Sequence, residues 1–427
     1  MQNRSMTAEA FQLRAGAGHY LACAALILLL AFLPLSRALE FILVPASHAT
    51  LGARLHIGVI ELVFIAGVLA DRRVAWPRGA RLPGWVLPIG GAWLLWSTLA
   101  ALLASHVEAA VLRQAEWLLH GAAAACLWAF LSAHPHWRAH VPKAIVAGFI
   151  LYGAAIAAFL LQIPDPHHFP WLKAMLGFRN IRHFSAYAAI ALIAALAPLL
   201  TGETPDRRML WRICAQMVVP WAFLFWSGGR GAFIAVVLSL AVMTVLRRVP
   251  RPGRLWGLAL ATALLGLTIS IPFTPPHGSY GVLRLASDLV EGESANDYSS
   301  GRLELWQQAL GMVAAHPVFG LGPDNYAHTP RGASEAFEHP HNAVLQSALE
   351  WGIPGLLLAC AGLGMTMLAA GRSLARRADA PALAGFGIAL MLFMLSMVAG
   401  ALYYGLSVMM CLFCLACALP SARHESR

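Results

Sequence analysis

Charge is scarce in this chain. Of 427 residues only 12% are Asp, Glu, Lys or Arg, and lysine occurs twice, at Lys143 and Lys173. Soluble proteins carry about 25% charged residues, so a cytoplasmic enzyme and a charged disordered regulator are both excluded. Metal signatures are missing as well. There is no HExxH and no recognisable zinc spacing, and Asp288, Glu291, Glu293 and Asp297 lack the regular interval of a calcium loop. These four read as a solvated acidic loop, so the expectation is no metal and no cofactor. The seven cysteines make no disulfide framework: Cys23, Cys126, Cys214, Cys360, Cys411, Cys414 and Cys417 all lie in apolar stretches. There even the CxxC-spaced last three are small packing residues. Internal repeats and low-complexity tracts are absent. The net charge of +10 comes from arginines without a basic run interleaved with aromatics, which argues against a nucleic-acid partner.

What is present is hydrophobic, 59% of the chain. Apolar stretches of the roughly 20 residues that cross about 30 Å of hydrocarbon recur throughout. The pattern predicts an all-α integral membrane protein with about twelve transmembrane helices: residues 19–35, 55–70, 85–104, 111–132, 143–162, 183–201, 209–226, 231–247, 254–273, 342–370, 382–399 and 402–419. The last two form one apolar run, too long for a single crossing, and Gly400 and Gly405 bracket the expected turn. Arg4 and Arg14 precede the first apolar run as in a signal peptide, but no clean small-residue cleavage site follows, so a retained first helix is expected.

Arginine sets the expected orientation. With the N-terminus inside, one side holds 19 basic residues, among them Arg72, Arg73, Arg207, Arg208, Arg247 and Arg248, against about ten on the other. Both termini are therefore expected in the cytoplasm. Three parts follow: residues 1–273 with transmembrane helices one to nine, a large extracytoplasmic loop at 274–341 containing amphipathic helices, and residues 342–427 with the last three helices and a cytoplasmic tail.

The large loop carries the candidate chemistry. Residues 300–317 read as an amphipathic helix with Leu303, Trp306, Leu310 and Val313 on one stripe, Ser299 or Ser300 as cap, and Pro317 as the stop. Arg302 then stands in the first turn, where backbone N–H groups already favour an anion. Pro340 suits a helix start, placing His341 in the first turn of a helix that ends at Gly352. A helix dipole there would lower the imidazole pKa and favour the neutral form a general base needs. Arg179 and Arg182 in GFRNIRHFSAY, and Arg230 in the SGGRGAF turn, fall at expected membrane edges on the same side. Arginines converging beside one histidine suit a lipid-linked diphosphate, because a guanidinium pairs phosphate oxygens two at a time. A rival constellation lies within the membrane: Glu61, and Arg113, Glu116 and His120 at helical spacing. It reads either as an internally paired network or as a transporter's proton path.

HNAVLQSALEWGIPG fits H-[NSQ]-x9-G-x-x-[GTY] with His341, Asn342, Gly352 and Gly355 in place, and so resembles the O-antigen ligase family. GRLELW, FGLGPDNY and SGGRGAF resemble further stretches of the same superfamily, which includes O-antigen polymerases and protein O-oligosaccharyltransferases. A short loop between the fifth and sixth spans and a short C-terminal portion point toward the ligase. The resemblance implies a bacterial inner-membrane glycosyltransferase with its site facing the periplasm. Its donor would be undecaprenyl-diphosphate-linked O-antigen and its acceptor a sugar hydroxyl of lipid A-core, both reached through membrane lipids. In that expectation His341 is the base, Arg302 and Arg230 assist catalysis, and Arg179, Arg182, Arg230 and Arg302 bind diphosphate. Transfer is metal-independent and inverting. The alternatives are an O-antigen polymerase and a transporter or flippase of lipid-linked sugars.

Overall fold

The structure, a computed structural model, describes residues 16–36, 49–74, 84–172, 175–178, 181–274, 280–284, 299, 301–330, 338–376 and 379–419. Thirteen α-helices occur among these residues and no strand. In chain order they are α1 (Ala17–Ile27, continued by a π-helical turn at Leu28–Phe32), α2 (Ala49–Ala70), α3 (Val86–Leu102), α4 (Val107–Ala133), α5 (His140–Leu160) and α6 (Ile181–Leu196). Then come α7 (Arg207–Ser227), α8 (Arg230–Leu246), α9 (Pro252–Ser270), α10 (Arg302–Ala315), α11 (Ala343–Arg376), α12 (Ala380–Ala399) and α13 (Gly405–Ala418).

Among the described residues, eight apolar helical stretches are long enough to cross a membrane, those of α1, α4, α5, α6, α7, α9, α11 and α12. The chain is thus an all-helical, multi-pass membrane protein. Shorter apolar helices, His56–Ala70 within α2 together with α3, α8 and α13, stand at the other four expected places. Buried residues concentrate on α6, α12 and α13, which form the middle of the bundle, whereas α3, α8 and α9 expose rows of Leu, Ile and Val. In a membrane such apolar exteriors are lipid-facing, because lipid tails are as apolar as leucine. Cys411, Cys414 and Cys417 are buried inside α13, as packing residues.

The turns at one end of the bundle are built from glycine and proline. Gly228 takes a left-handed conformation (φ 63°) to end α7, and α8 starts two residues later at Arg230. Gly400 (φ 59°) ends α12 and folds the expected apolar run back into α13. α11 breaks at Gly352 (φ 69°, ψ −178°), a conformation essentially confined to glycine, and resumes with Pro354 in its new first turn. The expected helix end at Gly352 and the expected longer span at 342–370 are thus both present, as two segments of one broken helix.

α10 matches the expected extent but only part of the expected face: Val313 packs inward and Trp306 is half-buried, whereas Leu303 and Leu310 turn outward. Its inward stripe is Leu305 and Ala309, packed with Tyr326 and Leu349, while Leu303 is 45% and Leu310 56% exposed. Both stripes are apolar and adjacent on the helix, so periodicity cannot choose between them; the choice falls to contact with α11 and the 321–326 turn. The acidic residues Asp288, Glu291, Glu293 and Asp297 lie outside the described residues, as does Ser300.

Candidate active site

The FGLGPDNY turn is a clamp. Gly320 sits so close to α11 that a Cβ would meet the Leu349 carbonyl oxygen at 2.3 Å, and one at Gly322 would meet Ala104 at 2.2 Å. Leu321 N donates to the Leu349 carbonyl (2.6 Å), and Ile353 N, freed by the helix break, donates to Pro317 (2.8 Å). Trp96 Nε1 donates to the Trp351 carbonyl (2.9 Å) at the same break. Buried Asn325 accepts from the His106 backbone N–H at 2.8 Å and donates to its carbonyl at 3.3 Å. The Leu349 and Trp351 carbonyls and the Ile353 N–H, backbone groups at the break in the helix, thus find partners, which buried groups require. The loop is bolted to α3, α4 and α11.

On this base stands His341. It is not in the first turn of α11: with φ 54° it lies two residues before the helix, just ahead of Asn342, which is the cap. Asn342 Oδ1 accepts from Val344 N (3.0 Å) and Leu345 N (3.1 Å), and its Nδ2 donates to the Met397 carbonyl at 3.2 Å. A left-handed non-glycine residue is uncommon and is held in place by its surroundings. Here the restraint is His339, 1% exposed, whose Nδ1 accepts the His341 backbone N–H (3.1 Å). His339 Nε2 contacts the Tyr404 hydroxyl at 3.0 Å. Its ring also packs against Tyr403 and over Gly400, where a Cβ would come within 2.0 Å. The reason for glycine at 400 is therefore double, a helix-ending φ and room for this ring.

The His341 pKa is pushed down to about 4, by burial first, then by the positive charges of Arg302 and Arg182, against the opposing pull of the Ala399 backbone on the ring. The expected direction is right and the expected cause, a helix dipole, is replaced by desolvation and two guanidiniums. The Ala399 carbonyl takes one ring N–H, so near pH 7 the imidazole is neutral and its other nitrogen carries the proton-accepting lone pair.

The arginines reach this place from different elements. Arg302 opens α10, half-buried, and donates from Nη1 to the Ser299 carbonyl at 2.9 Å; Ser299 Oγ in turn accepts from Leu303 N (3.2 Å). Trp306, one turn on, donates from Nε1 to the Pro340 carbonyl (3.0 Å), which ties α10 to the residue preceding His341. Arg182, exposed, is in the first turn of α6. Arg230 opens α8 between two close-packed glycines. A Cβ on Gly229 would strike Ser185 of α6 at 2.4 Å, and one on Gly231 would face Leu395, Val398 and Ala399 of α12. Arg230 is therefore carried at the end of α12 whose last carbonyl holds His341. Arg179 lies outside the described residues.

Sequence spacing does not single out His339, Tyr403, Tyr404, His183, Asp324 or Arg284, all of which gather at this end. His183 packs on Tyr404 at 3.9 Å between ring centroids, and the Tyr403 hydroxyl donates to Asp324 Oδ1 (2.5 Å). Arg284 lies against Gly228. The available signals were the His-Pro-His triplet at 339–341 and the paired tyrosines interrupting an apolar run.

Beneath Tyr403 lies the membrane-embedded constellation. Arg113, 1% exposed, donates to Glu116 (2.6 Å) and to the Tyr403 carbonyl, and its guanidinium stacks on the Tyr403 ring at 4.7 Å. His120 Nδ1 is bonded to both Glu61 oxygens at 2.7 and 2.8 Å. Glu350 accepts from Gln346 Nε2 at 2.6 Å and from the Asp324 backbone. The groups pair with one another and brace the turn that holds His339.

A neutral imidazole beside guanidiniums, at one end of a helical bundle, can take a proton next to a bound anion. Residues 215–360 match the family model of O-antigen ligase. This O-antigen ligase match covers about a third of the chain and includes Arg230, Arg302, His341, Asn342, Gly352 and Gly355. It leaves Arg182 and the 400–404 turn outside. No curated protein matches the chain. The O-antigen ligase family points to a membrane glycosyltransferase-like enzyme whose substrates are a lipid-linked glycan and a lipid acceptor.

Proposed function

We propose that the chain is an O-antigen ligase of the bacterial inner membrane. It would move O-antigen glycan from undecaprenyl diphosphate to a sugar hydroxyl of lipid A-core on the periplasmic side. In this reading the twelve apolar helices all span, both termini are cytoplasmic, and the 274–341 loop roofs the site. Both substrates enter from the bilayer. His341 takes the proton of the acceptor hydroxyl as its oxygen bonds to the anomeric carbon and the carbon–oxygen bond to the diphosphate breaks. One direct displacement inverts that carbon. Undecaprenyl diphosphate leaves with its new negative charge held by Arg302, Arg182 and Arg230, with Arg179 as a further candidate, so that no metal ion is needed at this point.

The observation carrying this reading is the placement of a buried His341 beside Arg302 and Arg182, where burial first and then the two guanidiniums push the imidazole down to about 4. Such an imidazole is a weak base while the site holds no anion. Diphosphate on the arginines cancels their field and lifts the pKa toward neutrality, where base catalysis works best. Donor binding thus arms the base. The transporter alternative loses support because Glu61, Arg113, Glu116 and His120 are paired internally and face the turn at Tyr403.

Reconstitution with a defined undecaprenyl-diphosphate glycan and lipid A-core tests the proposal. Product mass should equal acceptor plus glycan for the native chain, with formation of that product severely slowed for His341→Ala. Extension of the glycan on the donor lipid instead would make the enzyme a polymerase, and turnover by His341→Ala at the native rate would remove the proposed base.

A further inference from the structure

The opposite end of the bundle holds a second cluster of chemistry-bearing side chains. His19 is in the first turn of α1, Asp71 directly follows α2, and His134 directly follows α4. His19 Nδ1 lies 3.0 Å and His134 Nε2 2.9 Å from the same Asp71 oxygen, Oδ2, and the three atoms all fall within 4.8 Å of one another. Asp71 and His134 are buried and His19 is nearly so, at an end where nothing in the glycan-transfer mechanism requires them.

The placement is rigid. α1 and α2 cross with their backbones in contact: a Cβ on Gly18 would meet Ala70 at 2.6 Å, and one on Gly67 would meet Ala22 N at 2.6 Å. That crossing puts His19 beside Asp71. Outer contacts then orient each donor. The other Asp71 oxygen accepts the Arg73 backbone N–H at 3.0 Å, and His19 Nε2 faces Cys23 Sγ at 3.5 Å. Phe130 stacks on the His19 ring at 5.8 Å and packs against His134 at 4.8 Å. Metal-ligating imidazoles and carboxylates are held in this way by partners on their remaining atoms.

We propose that His19, Asp71 and His134 bind a divalent transition metal of the zinc class, a staple joining α1, α2 and the α4–α5 junction. Two imidazole nitrogens and one carboxylate oxygen are a donor set that zinc takes, leaving one position for water. Metal–ligand bonds of about 2.0–2.1 Å place donors of a tetrahedral site about 3.3 Å apart. The two contacts at 3.0 and 2.9 Å therefore open by a few tenths of an ångström. The ring hydrogens that point at Asp71 move to the outer ring nitrogens, that of His19 toward Cys23 Sγ. The neutral rings then lose no proton overall, and the ion's charge is partly offset by the carboxylate.

The competing reading is a carboxylate hydrogen-bonded by two histidines, and conservative variants separate the two. His134→Gln and His19→Asn each keep an N–H donor near the ring nitrogen they replace, but remove the ligand. The full chain, purified in detergent, freed of any affinity tag and stripped with chelator, is given Zn²⁺ alone and desalted. Bound metal per chain and the thermal midpoint are then measured. The expected result is one Zn²⁺ per native chain with a raised midpoint. Both variants should lose it by more than the roughly 10–100-fold that an outer-shell partner costs, with midpoints indifferent to Zn²⁺. Variants that match the native midpoint in chelator show the fold is kept. If a variant does not fold, native stoichiometry alone decides. A native chain holding no more zinc than the variants would overturn the site.

Discussion

At the scale of single residues, the site is governed by what surrounds one imidazole. Removing it in His341→Ala should lower turnover by about 10²–10⁴-fold, the usual worth of a positioned base, while thermal unfolding in detergent stays close to native. Each arginine–phosphate contact contributes about 1.5–3 kcal/mol. Arg302→Lys should recover little of what Arg302→Ala loses, because an ammonium cannot grip two oxygens at once. The pH dependence has a definite sign. A base must be deprotonated, so activity falls as pH drops through its pKa. The acid limb of kcat/KM, which reports the free enzyme, should sit near the depressed value of about 4. The acid limb of kcat, which reports the donor-bound enzyme, should lie at higher pH. Arg302→Gln removes one depressing charge and should move the kcat/KM limb upward. Coincident limbs would refute the arming of the base by diphosphate.

At the scale of elements, the broken helix and its clamp decide where His341 stands. Gly352→Ala places a methyl group 1.9 Å from the Val318 carbonyl oxygen, in a backbone conformation that only glycine adopts without strain. The strain alone costs about 1–3 kcal/mol, and a lowered thermal midpoint with loss of turnover is the expected outcome. His339 acts through His341, as a positioning residue. His339→Phe keeps a ring over Gly400 but loses the acceptor for the His341 N–H, so kcat should fall about 10²-fold for a displacement near 1 Å, with KM for the donor little changed. An equal rise in KM would instead place His339 against substrate. Within α10 the sequence left two apolar stripes available, and Tyr326 and Leu349 selected the one at Leu305 and Ala309. The helix itself was legible from its cap and its proline stop; its rotation was not, since that is a property of the surface it meets.

At the scale of the whole molecule, one end of the bundle carries the arginines and the histidine, and the membrane-embedded network supports it from below. Arg113→Met leaves Glu116 buried without its cation and should cost about 3–5 kcal/mol, read as thermal unfolding. Chelator separates the two ends. Glycan transfer at low temperature should persist in it, because the charge at His341 is met by arginine. The thermal midpoint should fall as the staple at His19, Asp71 and His134 is lost.

The sequence alone determined the membrane class, the positions of the apolar helices and the breaks at Gly352 and Gly400, and it singled out His341, Arg302, Arg230 and Arg182 as candidates. These depend on local quantities, the transfer free energy of about 20 neighbouring residues or the φ a single glycine allows. Tertiary structure decided the rest: that His339 holds His341 in its left-handed conformation, that burial and guanidiniums set its pKa, and that Arg113 reaches the Tyr403 carbonyl. Each of these joins groups from separate elements across a fold, such as Asn325 to His106 or Trp96 to Trp351. Contact energies of that kind arise only once the bundle has closed, because no periodicity along the chain encodes which distant surface a helix will meet.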